Sequence, residues 1–355
     1  MRLSTRRLNR ALLDRQLLLG RARISIGNAL ERVGGLQAQY APSPYVRLWS
    51  MLEGFERDDL TRALERRHAV QGTLMRSTIH LVSPRDYWSF QAGVGPSRRA
   101  WWLKTWGRHE PAGNVDFVAG QLEAALAGRT WRRAEIDALL PATSRTSWTG
   151  SWIPLVRVPP SGTWERRRAN LFRLAAEWIA PEEVSEEAGL EHLLRRYLAG
   201  FGPARPAEAA DWAGVPRAKV DAVAERLRLR RFDDEDGRPL LDVPRLRLPD
   251  EVVPAPPRFL GTWDAALLVH ARRAAVLPER FRSLVFSTKQ PQSVATFLVD
   301  GAVAGRWHVE RAKETATLRL APFEPLPPAA RRELREEGER LVRFHEPDAT
   351  SYVVR

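Results

Sequence analysis

The chain has 355 residues, 44% hydrophobic and 28% charged, enough for a sizeable core and for more than one domain. Cysteine is absent, which excludes disulfides, thiolate-bound zinc and iron–sulfur clusters. The 56 basic residues outnumber the 43 acidic ones, and the net charge of +13 points to polyanions, of which nucleic acid is the usual soluble one. Only Lys104, Lys219, Lys289 and Lys313 are lysines; the codon usage of a GC-rich genome accounts for that skew, but not for the excess of positive charge. The seven histidines show no metal-ligand spacing, so no metal ion or cofactor is expected. No apolar run reaches membrane-spanning length and the N-terminus carries no signal-peptide pattern, so a cytoplasmic protein is expected, with no membrane partner.

Apolar positions at helical spacing (Leu8, Leu12, Leu13, Leu17) predict a helix within residues 3–19. A second helix runs to Val33 and stops at Gly34-Gly35, since glycine is a poor helix former and a common C-terminal stop. Residues 34–44 read GGLQAQYAPSP. Pro42 and Pro44 argue against an immediate new helix. Gln37 and Gln39 therefore belong on extended backbone, where residues i and i+2 point the same way. Two neutral amides would then face one spot. Taken alone, a Gln-x-Gln pair is better explained by solvated surface glutamines. Its small and apolar flanks, in a basic chain, favour a site.

Residues 45–52 and 58–67 read as helices, the latter with Asp58 and Asp59 as N-terminal caps. Residues 73–82, TLMRSTIHLV, read as a strand with Met75, Ile79 and Leu81 on one face and Arg76, Thr78 and His80 on the other. Arg76 and His80 would contact phosphate or an attacking water from that face; a solvated strand face is the equal alternative. Helices followed by a strand ribbon suggest a winged helix. The plan recurs: a helix over 117–126, a short second helix over 131–140, then a strand, a Pro-Pro-Ser-Gly turn and a return over 153–164. The third pass is clearest. Helices over 191–198, 206–213 and 217–227, with Gly214-Val215-Pro216 as the tight turn, precede a hairpin over 230–243.

A Pro-rich linker covers 249–257. Beyond it, 284–288, 294–299, 302–310 and 315–320 are strand-like, with Asp300-Gly301 as a hairpin turn. A charged amphipathic helix over 328–344 and a last strand over 352–355 complete the chain. The expectation is an α+β protein: winged-helix modules at 1–112, 113–184 and 185–250, then a β-rich, barrel-like domain at 251–355.

The stretches GGLQAQ, RSTIHLVSPRDYW (76–88), FLGTWDAALL (259–268) and FLVDGAVAGRW (297–307), in that order and spacing, resemble the AlkZ/YcaQ-type bacterial DNA glycosylases over essentially the whole chain. In that family a Q-x-Q or Q-x-D motif after Gly-Leu lines the active site, which implies that Gln37 and Gln39 are catalytic. The resemblance also implies tandem winged-helix modules followed by a β-barrel, and double-stranded DNA carrying alkylated purines as the partner. Gln39, where other members have Asp, sets the chain nearer the AlkZ branch. That implies N7-alkylguanine substrates, including bulky adducts and interstrand crosslinks made by natural-product antibiotics, and a role in self-resistance. Lys289, Gln290 and Gln292, in the turn-like STKQPQS insertion, would enter a DNA groove; an ordinary polar hairpin tip is the alternative.

The chemistry suits neutral amides. An N7-alkylated purine already carries positive charge, so it leaves without protonation, and the transition state places positive charge on the deoxyribose. Amide carbonyls aimed there stabilise that charge while a fixed water attacks C1′. A carboxylate would also attract the cationic base in the ground state, which adds no rate. No nucleophilic lysine stands out, so hydrolysis without strand cleavage is expected, by a monomer.

Asp264 reads as a helix cap for 265–269 or a support for the site, the cap being preferred. Arg217 and Lys219 head a helix that reads a groove or is scaffolding. Trp101, Trp102 and Trp106 stack a base or fill a core. Arg98-Arg99, 166–168 and Arg272-Arg273 contact phosphate or only face solvent. The competing reading is a non-enzymatic winged-helix DNA-binding regulator; three modules plus a β-domain in one chain fit poorly with a dimer on a palindromic site.

Overall fold

The computed structural model describes residues 1–106, 112–139, 153–167, 170–271, 273–286 and 293–355. Lys289, Gln290, Gln292 and Arg272 lie outside the described residues. No helix among the described residues is long and apolar enough to cross a membrane.

Helix α1 (Thr5–Arg15) begins where Ser4 accepts a hydrogen bond from the Arg7 amide. Helix α2 (Ile26–Val33) is capped by Ser25 and ends on left-handed Gly34. The two-residue strand β1 (Leu36–Gln37) follows, and then α3 (Pro42–Met51) begins on Pro42 itself. The two prolines do not delay the helix as expected, because the first helical positions leave their N–H groups unpaired in any case. In α4 (Arg57–Glu65) the cap position is Glu56, not Asp58 or Asp59. Asp59 serves from inside the first turn, where its carboxylate accepts the Glu56 amide at 2.8 Å.

The single strand expected over 73–82 is a hairpin. Strands β2 (Val70–Thr73) and β3 (Ile79–Val82) pair antiparallel, with Gly72 opposite His80. Between them Arg76 and Ser77 turn the chain at φ 52° and 57°, and the Leu74 amide donates to the Thr78 carbonyl at 3.0 Å. Arg76 is therefore a turn residue and not part of a polar strand face. The next elements are α5 (Pro84–Trp106), α6 (Ala112–Leu126), β4 (Trp131–Arg132), α7 (Arg133–Leu139), β5 (Leu155–Arg157), β6 (Leu171–Leu174) and α8 (Ala175–Trp178). The return of the expected 153–164 hairpin is β6, which pairs Leu174 with Leu155. Pairing of β2 with β5 (Gln71 opposite Arg157) joins the ribbons into one six-stranded sheet, ordered β1-β3-β2-β5-β6-β4.

Helix α9 (Glu186–Phe201) precedes α10 (Pro206–Ala213), a left-handed Gly214, α11 (Arg217–Arg226) and the hairpin β7 (Arg230–Asp233) and β8 (Pro239–Asp242). These elements form where periodicity and turn chemistry put them. Helix α1 is tied to β8 by a buried ion pair: Arg15 donates to both Asp242 carboxylate oxygens, at 2.7 and 2.8 Å.

The C-terminal part holds β9 (Arg258–Leu260), one-turn 3-10 helices at Ala265–Leu267 and Val269–Ala271, α12 (Arg273–Val276), α13 (Arg282–Val285), β10 (Thr296–Val299), β11 (Ala302–Ala312), β12 (Thr315–Pro322), α14 (Pro328–His345) and β13 (Ser351–Val354). Helix α13 stands at the start of the strand expected over 284–288. Asp300-Gly301 makes the expected turn, both residues at positive φ. The sheet is open, ordered β13-β12-β11-β10-β9, and is not a closed barrel. Leu334, Leu341 and Val342 of α14 share a core with Phe259, Phe297 and Leu318, so a helix covers the face that a barrel would enclose. The same helix carries the chain back, which makes β13 parallel to β12.

Candidate active site

Two glycines bring the Gln-x-Gln motif to the sheet. Gly34 and Gly35 both have positive φ, 77° and 80°. A Cβ on Gly35 would stand 2.8 Å from Val82 Cγ1. Glycine thus permits both the backbone turn and the close approach that lets β1 pair with β3. Leu36 then lies opposite Leu81, Gln37 lies opposite His80, and the Ala38 amide donates to the Ile79 carbonyl at 2.7 Å. Gln37 is on extended backbone as expected, but the strand ends there and the chain bends at Gln39. The two amides accordingly have different surroundings. Gln37 is buried, with Oε1 accepting from Arg76 Nη2 at 2.8 Å, whereas Gln39 is exposed and accepts the Ile79 amide at 3.3 Å.

Around Gln37 the charges are few. Arg76 also donates, through Nη1, to the Trp212 carbonyl at the end of α10. No carboxylate pairs with Arg76 among the described residues, and burial lowers its pKa to about 10. A guanidinium has no acceptor, so the oxygen of the Gln37 amide, not its NH2, must face it. His80 is buried, and its Nδ1 lies 3.0 Å from the Thr78 carbonyl. That contact puts the proton on Nδ1 and leaves Nε2 as the basic nitrogen. Burial, reinforced by Arg76, pushes His80 down to about 3, so the ring is neutral at neutral pH. His270, on the Val269–Ala271 turn, is a second buried imidazole in the field of Arg76 and His80. It is held well below its usual range mainly by burial, and its Nε2 has no hydrogen-bond partner among the described residues. No sequence pattern singled out His270, because a lone histidine in an apolar stretch carries no spacing signal.

Gln37 also borders a very small cavity, of about 10 Å3, together with Arg47, Trp263 and Asp264. Asp264 is a cap, as expected, accepting the Ala266 amide at 2.9 Å; its other oxygen stands 3.6 Å from Arg47 Nη1. Arg47 is buried, donates to Gln16 Oε1 at 2.7 Å, and leaves Nε and Nη1 without hydrogen-bond partners among the described residues. Trp263 sits at φ 59°, a strained region for a bulky side chain and one that clusters at functional sites.

The remaining candidates separate clearly. Arg98 is a core residue: it is buried and donates to the Thr73 carbonyl at 2.7 Å and to Gln91 at 2.8 Å, so it does not face phosphate. Arg99 pairs with Asp116. Trp102 is buried in a core, Trp101 is exposed, and the Trp106 side chain lies outside the described residues. At the head of α11, Arg217 pairs with Asp221 and Lys219 with Glu186, which suits scaffolding better than a groove reader. Arg166 and Arg167 are exposed, and Arg167 donates to the hydroxyl of Tyr40, the residue after the motif, at 3.2 Å. This brings positive charge to the rim of the site.

Residues 30–344 match the family model described as DNA glycosylase AlkZ-like. No curated protein sequence matches the chain significantly. Among solved structures, the Streptomyces sahachiroi DNA glycosylase AlkZ superposes with a TM-score of 0.80, covering 100% of both chains at 21% identity, a likeness of fold. A family match over nearly the whole chain sets aside the regulator reading: this protein belongs to the AlkZ-like DNA glycosylases.

Proposed function

We propose that the enzyme hydrolyses the N-glycosidic bond of N7-alkylguanine in duplex DNA, including bulky adducts and interstrand crosslinks, as a cofactor-free monomer that leaves the strand intact. The observation that carries this reading is the lack of a proton donor of suitable acidity at the motif among the described residues, since the one cation beside it, Arg76, keeps its proton up to a pKa of about 10. Gln37 and Gln39 are amides, and His80, with its pKa near 3, has no imidazolium proton to give at neutral pH. A site that cannot protonate its leaving group suits a base that already carries positive charge. Water attacks C1′ as the electrons of the C1′–N9 bond return to the base and cancel its charge, and the attacking water gives up a proton to solvent. Gln37 and Gln39 direct carbonyl oxygens at the deoxyribose cation and hold the water, and the His80 Nε2 lone pair accepts a hydrogen bond from it.

Gln39 in the second motif position supports the self-resistance reading. Lys289, Gln290, Gln292 and Arg272, with exposed Arg166 and Arg167, are proposed to hold the DNA. The test is release of free base from duplex DNA containing N7-methylguanine, comparing wild type with Gln37→Ala/Gln39→Ala at fixed salt. Release that the double variant loses supports the site and the substrate. Equal release by both proteins refutes the roles given to the glutamines. No release of N7-methylguanine or of a bulky N7 adduct by the wild type refutes the substrate class.

A further inference from the structure

We infer that Arg76 is a positioning residue for Gln37 and not a contact to the DNA backbone. The inference rests on the catalytic reading of Gln37 proposed above. The guanidinium is committed on both sides, Nη2 to the Gln37 oxygen and Nη1 to the Trp212 carbonyl. Reversing the Gln37 amide would turn its NH2 toward a group that only donates, so the clamp admits one orientation. It holds one lone pair of Oε1 and leaves the other for the reacting sugar.

The clamp is built into the backbone. Arg76 is at φ 52°. Gly214, itself at φ 74°, packs so closely beneath it that a Cβ there would lie 2.9 Å from Arg76 Cα and 3.0 Å from its N. The Trp212 ring reaches the other end of the site: a Cβ on Gly34, at the turn into β1, would lie 3.3 Å from its Cζ2. One tryptophan at the end of α10 therefore contacts the turn before Gln37 and also anchors the cation that orients the Gln37 side chain. These bonds use two of the five guanidinium N–H groups, one on each terminal nitrogen, and a shift of the side chain toward a phosphate would strain both.

The two roles predict different kinetics. Single-turnover base release and DNA affinity would be measured on the N7-methylguanine duplex at several salt concentrations, for wild type, Gln37→Ala, Arg76→Ala, Arg76→Gln and the Gln37→Ala/Arg76→Ala double variant. A lost orientation should slow the chemical step by about a hundredfold, with affinity and its salt dependence unchanged. The double variant should be no slower than Gln37→Ala alone, since both changes remove one interaction. Arg76→Gln keeps a donor for the Trp212 carbonyl and serves where the alanine variant fails to fold. A phosphate contact would instead weaken binding, lower the slope of log affinity against log salt by about one, and leave the saturated rate intact; that result overturns the inference. Slow Gln37→Ala with wild-type rates in both Arg76 variants also overturns it and spares the proposed function. Wild-type release by Gln37→Ala refutes the catalytic reading itself, and the clamp with it.

Discussion

Acid should unfold this protein in a way that reports on the site. His80 titrates near 3 in the folded chain, against an ordinary 6.5. Above pH 6.5 the ring is neutral in both folded and unfolded states. Below that, the unfolded chain binds a proton that the folded chain does not, so stability present above 6.5 is lost as the pH falls toward 3. The slope is about 1.4 kcal/mol per pH unit, and by pH 5 the loss is roughly 2 kcal/mol. His80→Asn isolates this contribution. An asparagine amide can donate to the Thr78 carbonyl from about the place of Nδ1, but does not titrate. Urea unfolding followed by circular dichroism at pH 7.5, 6 and 5, at fixed ionic strength, would compare the two proteins. The variant should gain roughly 2 kcal/mol on the wild type between pH 7.5 and 5; His270 adds its own loss to both and cancels. Parallel loss in the two proteins would mean that His80 charges at an ordinary pH, and that the neutral site used above is wrong.

Gln37→Ala alone should slow base release by about ten- to a thousandfold, read in single turnovers with DNA affinity measured alongside. Gly35→Ala forces a Cβ to within 2.8 Å of Val82 Cγ1 at a φ of 80°. It should cost about 1–3 kcal/mol and most of the activity, seen as a lower melting temperature and slow base release. Arg15→Met strands the buried Asp242 carboxylate and should cost about 3–5 kcal/mol in urea unfolding. Adding Asp242→Leu should recover much of that loss.

Much of the fold was legible from local signals. The α10–Gly214–α11 turn was set by Pro206 and Gly214, and the Asp300-Gly301 hairpin by its dipeptide. What local signals missed was tertiary. Residues 73–82 alternate like a strand, yet Arg76 and Ser77 take positive φ, and Trp212 and Gly214, far along the chain, pack against the turn at Arg76. The open C-terminal sheet was hidden because strand patterns do not say whether a helix will cover the face. At the site, the sequence marked Gln37, Gln39, Arg76 and His80 as candidates. It did not show that Gln37 and Gln39 have different surroundings, or that Arg76 serves Gln37. Arg98 read as a surface charge because nothing in its neighbours revealed the Thr73 carbonyl and Gln91 waiting for it.

If Gln37 is catalytic as proposed, its surroundings also govern when the enzyme can become active. Strand β2 needs residue 157 beside it, Arg76 needs the Trp212 carbonyl 136 residues downstream, and the cavity wall needs Asp264. Contacts of such range make folding slow, because long loops must close before the pairing repays them. During synthesis the motif emerges early but remains without its clamp until Trp212, about three fifths of the way along the chain, has left the ribosome. On the role proposed for Gln37, a nascent fragment carrying both glutamines would be inactive toward alkylated DNA.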